Sequence, residues 1–116
     1  MLRAIALACL TAWPASACEM ALLLSIDVSG SIDGGDYRLQ AEGLAAALAD
    51  PVVAEALVSG QIALAVVQWS GTDQQALALP WQRMLSPDAV ATFAARSAAM
   101  PRAFMGSDTA VGEGLR

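Results

Sequence analysis

Apolar positions along this chain shift between two spacings, and each shift marks an element. Residues 20–26, MALLLSI, form a short continuous apolar run, the pattern of a strand covered on both faces. A glycine-bearing loop follows. The spacing then turns helical: Tyr37, Ala41, Leu44, Ala45 and Leu48 share one face, with Asp36 placed to cap the helix. Pro51 and Gly60 bracket a short second helix, VVAEALVS. Residues 61–70, QIALAVVQWS, are apolar and β-branched and read as a second central strand. Residues 74–81, QQALALPW, alternate more strictly and carry Pro80, which suits an edge strand. The link between these two strands is short enough for an antiparallel hairpin. Ser86-Pro87-Asp88 opens a helix with a serine cap, a proline in the first turn and an acid near the dipole. That helix should run through AVATFAARSAAM and stop before Pro101, and TAVGEGLR starts a further one.

Strand, helix, helix, strand, strand, helix and a loop entering a helix is the opening of an α/β layered fold. The expected architecture is a central, mostly parallel sheet with helices on both faces. The pattern also looks unfinished, because a helix begun at Thr109 has no strand after it. Residues 18–116 therefore read as the N-terminal part of a longer domain, without repeats or linkers.

Composition narrows the chemistry. The 116 residues are 57% hydrophobic and 15% charged, far from a disordered composition. Six arginines and no lysine face eleven acids, for a formal charge of −5, so nucleic acid is not an expected partner. The chain has no histidine, which removes the usual general base and the commonest transition-metal ligand. A metal here would be hard and oxygen-bound.

The first 17 residues, MLRAIALACLTAWPASA, read as a secretory signal with a basic start at Arg3, an apolar stretch and a small-residue cleavage site. The stretch is too short to span a membrane and is broken by Pro14. Cleavage after Ala17 implies a periplasmic or secreted protein. It leaves Cys18 as the mature chain's one cysteine, available for a bond outside this segment. A cysteine at that position is also where a lipoprotein carries its anchor. However, A-S-A lacks the large aliphatic residue usual three positions earlier, so a plain exported protein is the expectation.

The candidate chemistry lies where the first apolar run ends. In open α/β sheets the loops after the strand C-termini build the ligand site. Asp27, Ser29 and Ser31 alternate through such a loop, and Gly30 relaxes the backbone between the serines. One carboxylate and two hydroxyls suit Mg²⁺ or Mn²⁺, with Ca²⁺ as a further candidate. The plainer alternative is that Asp27 begins a turn and the serines cap the next helix.

An apolar strand running into SIDVSGS and then a helix resembles the first loop of the von Willebrand factor type A (vWA) domain. The resemblance implies a metal-ion-dependent adhesion site in which Asp27, Ser29 and Ser31 supply the first loop. Thr109, in GSDTAVGEGL, matches the second-loop threonine, with Gly114 and Leu115 where the family's next helix begins. DVSGSIDGGDYRLQAEGLAAAL, IALAVVQWSG and PRAFMGSDTAVGEGL together resemble a bacterial group of exported vWA-like proteins catalogued as domain of unknown function 1194, over residues 19–116. The family's third-loop aspartate follows a fourth strand, and these 116 residues stop short of it. Asp108 belongs to the second loop and is no substitute. The expectation is weak or absent cation binding by this chain and firmer binding by a domain that continues.

The other notable residues have blander readings. Trp69 and Trp81 end strands and are expected to pack in the core, while Met84, Met100 and Met105 fill gaps under helices. Asp33 and Asp36 read as caps of the helix that follows rather than as hydrogen-bond partners of metal-bound water, and Arg102 could pair with Asp108 across its loop. Ser29 and Ser31 have no histidine or lysine to activate them, which disfavours serine hydrolysis. The expected function is therefore a non-enzymatic binding module whose cation takes a carboxylate from a protein partner. The alternatives are a metal-dependent hydrolase and a purely structural exported domain.

Overall fold

The structure, a computed structural model, describes residues 20–104. Strand β1 (Ala21–Asp27) ends on the predicted aspartate. Helix α1 (Gly34–Ala49) follows, and its cap differs from expectation: Asp33 is the N-cap and Asp36 the third helical residue. The Asp33 carboxylate accepts from the Asp36 amide at 2.7 Å, and the Asp36 carboxylate accepts from the Asp33 amide at 3.4 Å. This reciprocal capping box uses both acids, and the earlier one occupies the extended cap position. Asp50 ends α1 and caps α2 (Pro51–Ser59), accepting from the Val52 and Val53 amides at 2.9 and 3.3 Å.

Strand β2 (Ala63–Ser70) and strand β3 (Gln74–Arg83) form the predicted antiparallel hairpin. β1 and β2 run parallel, with Asp27 opposite Trp69, giving the order β1-β2-β3. Pro80 sits on an edge strand at a register irregularity. Leu64 faces Gln82 while Val66 faces Leu79, so Pro80 falls in a bulge, where its missing N–H costs little. Helix α3 (Pro87–Ala99) starts as read, with the Ser86 hydroxyl accepting from the Ala89 amide at 3.1 Å.

One core joins these elements into a mixed α/β unit. Val90, Phe93 and Ala94 of α3, Leu48 of α1 and Leu57 of α2 meet Ile26, Leu64 and Val66 of the sheet. Tyr37 and Leu44 pack at its margin, as the helical spacing predicts. Met84 and Met100 are buried gap-fillers as expected, and Met105 lies outside the described residues.

All three described helices contribute to this one core, and the opposite sheet face is more open. Leu23 and Leu77 there are 54% and 56% exposed. The expectation of a first strand covered on both faces is thus not met among the described residues, because the helix residues of the core pack on the sheet face that carries Ile26, Leu64 and Val66. Trp81, expected in the core, lies in the same bulge and is 51% exposed, while Trp69 is half-buried.

Candidate functional site

The loop from Asp27 to Asp33 leaves the C-terminal end of β1, the placement expected of a ligand loop in an α/β sheet. Its backbone is bonded from several directions. The Val28 amide extends the parallel ladder to the Trp69 carbonyl at 2.9 Å. Gln40, in the second turn of α1, donates its side-chain amide to the Asp27 carbonyl at 3.1 Å. The Ile32 amide closes a tight turn onto the Ser29 carbonyl at 2.9 Å. Buried peptide groups need such partners, and this set leaves the loop little freedom to rearrange.

The predicted donors of the first loop do come together. Asp27 Oδ1 accepts from the Ser29 amide at 2.8 Å, and the Ser29 and Ser31 hydroxyl oxygens lie 3.3 Å apart. Ser29 is buried, Asp27 half-buried and Ser31 exposed, so the cluster opens outward through Ser31. Two cis ligands at an octahedral Mg²⁺ stand about 3.0 Å apart, and about 3.4 Å apart around Ca²⁺, from typical metal–oxygen distances. The hydroxyl pair falls between these values, so the donor set fits a hard dication that keeps several waters. Among the described residues no group of three His, Cys, Asp or Glu side chains could hold a metal, so the candidate depends on hydroxyl oxygens. Thr109, Asp108, Cys18 and residues 1–17 lie outside the described residues.

Three side chains that the sequence reading did not assign to the site build its support. From the sequence Arg102 could pair with Asp108, which lies outside the described residues. In the structure its Nη2 donates to the carbonyls of Val28, Ser29 and Ile32, at 2.9, 3.0 and 2.6 Å. Its guanidinium also lies 5.9 Å from the centre of the Tyr37 ring, a cation–π contact.

Gln68, fully buried in β2, donates to the Pro101 carbonyl at 3.1 Å and the Tyr37 hydroxyl at 3.3 Å, and accepts from the Ala103 amide at 2.7 Å. Tyr37 in turn donates its hydroxyl to the Met100 carbonyl. Burial raises the Tyr37 pKa above its usual 10.0, against smaller lowering effects of the Gln68 hydrogen bond and the Arg102 and Arg38 charges. One signal for this network was legible: a glutamine inside an otherwise apolar central strand must find buried partners.

Fold and site together define a small α/β protein with an oxygen-rich loop at the carboxyl end of its first strand. The chain matches the family described as Protein of unknown function (DUF1194) over residues 17–116 and belongs to it. No curated protein and no solved structure matches the chain. No helix among the described residues is long and apolar enough to cross a membrane.

Proposed function

We propose that this protein is an exported, vWA-like binding module. Asp27, Ser29, Ser31 and Thr109 hold a divalent cation, Mg²⁺ or Mn²⁺ or else Ca²⁺, and a carboxylate of a protein partner completes its coordination. The observation that carries the reading is the convergence of the Ser29 and Ser31 hydroxyls 3.3 Å apart beside Asp27, in a loop at the end of a parallel strand. Oxygen donors of this kind suit a hard cation that retains exchangeable waters, one of which a carboxylate can replace. The residues from 17 onward match the family, and the segment before them has the charge and hydropathy pattern of a secretory signal.

A second reading has its own support. Asp27 already accepts from the Ser29 amide, which is what a purely structural turn requires. Paramagnetic Mn²⁺, titrated into isotope-labelled protein, separates the two even when binding is weak. The cation reading expects the Ser29 and Ser31 amide signals to broaden first, and Asp27→Ala to remove that selectivity while the rest of the spectrum is preserved. Identical broadening in the wild type and Asp27→Ala would leave only the structural turn. Retention on an immobilised glutamate-containing peptide in Mg²⁺, lost in EDTA, is the expected sign of the carboxylate partner.

A further inference from the structure

The group that organises the candidate loop comes from 70 residues further along the chain. We infer that Arg102 is a positioning residue for the cation loop. It gathers the Val28, Ser29 and Ile32 carbonyls onto one guanidinium nitrogen, leaving the side-chain oxygens of Asp27, Ser29 and Ser31 as the loop's available donors. The cation part of this inference rests on the proposed function, whereas the loop geometry does not.

Electrostatics carry the argument. Three carbonyl oxygens converging within 3.0 Å of one point bring the negative ends of three dipoles together, which is unfavourable unless a positive group sits there. Arg102 supplies that charge, so each of these carbonyls already has a charged partner. The guanidinium is itself held in place. The Tyr37 ring flanks it, and Gln68 bonds the backbone on both sides, at Pro101 and Ala103.

Amide exchange in the metal-free full chain tests the geometry, with Val66 in the central strand as internal reference. Arg102→Met is expected to accelerate exchange at Ser29 and Ile32 by about tenfold or more relative to Val66. Arg102→Lys keeps the charge on a shorter stem and should fall between the two. If Arg102→Met does not fold, the local acceleration in Arg102→Lys carries the test. Unchanged exchange at Ser29 and Ile32, or equal acceleration at Val66, overturns the inference.

Mn²⁺ broadening at Ser31 tests the consequence, and Arg102→Met should need about tenfold more Mn²⁺ for the same effect. Equal or tighter binding by Arg102→Met, despite a loosened loop, also overturns it. A wild type that ignores Mn²⁺ while its Arg102 variants exchange as expected sinks the cation reading and leaves the loop-positioning role intact.

Discussion

Two polar loops leave the sheet side by side, and they are built differently. The Asp27–Asp33 loop follows β1, and the hairpin turn at residues 71–73 follows β2, whose Trp69 pairs with Asp27. Both carry glycine, aspartate and a hydroxyl residue (Ser29 and Ser31 in the first, Thr72 in the second), and by composition either could be a simple turn. The hairpin turn takes its shape locally, with Gly71 in the left-handed region at φ 65 and a two-stranded ladder on either side. The first loop is held by α1 through Gln40, by β2 through the Trp69 carbonyl and by the segment after α3 through Arg102. A turn that only reverses the chain needs no distant anchor. The density of long-range bonds on the first loop is what distinguishes it as the candidate site.

Substitutions that loosen one loop and spare the other test this contrast. The largest effect after Arg102 is expected from Gln68→Leu, which strands the Ala103 amide and the Pro101 carbonyl. The cost should be about 2–3 kcal/mol in denaturant unfolding. Amide exchange should accelerate at Ser29 and Ile32 more than around Gly71. Equal acceleration at both loops would erase the distinction drawn between them.

Gly71→Ala probes the other side of the contrast. An alanine forced into the left-handed region should cost about 1 kcal/mol and leave Ser29 and Ile32 exchange as in the wild type. A response at those two amides would mean that the hairpin turn also supports the site.

The smallest effect concerns pH. Folding favours the neutral Tyr37 hydroxyl because burial raises its pKa. That contribution is whole below about pH 10 and is lost as pH rises through the higher folded value. Melting temperature should therefore fall more steeply above that pH in the wild type than in Tyr37→Phe. Parallel curves would show that the phenol's proton does not matter to the latch.

Much of this was legible from the chain because it depends on neighbours. Strand ends, the Ser86 cap, the Pro51 start of α2, the hairpin and the buried stripe of α1 follow from residues within a few positions of one another. The approach of Ser29 to Ser31 belongs to the same class, since alternate residues in a tight loop readily turn toward one point. The misreadings are of two kinds. Asp36 for Asp33 as the cap is a boundary error, within the range over which helix starts are ambiguous. The packing of Trp81 and that of both faces of β1 are errors about distant partners, and the Arg102 contacts with the first loop went unread for the same reason.

Local pattern thus determined this protein's elements, their ends and which loop carries a carboxylate with two hydroxyls. It could do so because hydrophobic period, capping and turn chemistry act over a few neighbouring residues of chain. Only tertiary structure decided that an arginine after α3 would gather the carbonyls of the first loop, and that a glutamine in β2 would fix that arginine's backbone. Those contacts join residues 33 to 74 positions apart. Their partners exist only once burial has removed water as the competing hydrogen-bond donor and acceptor.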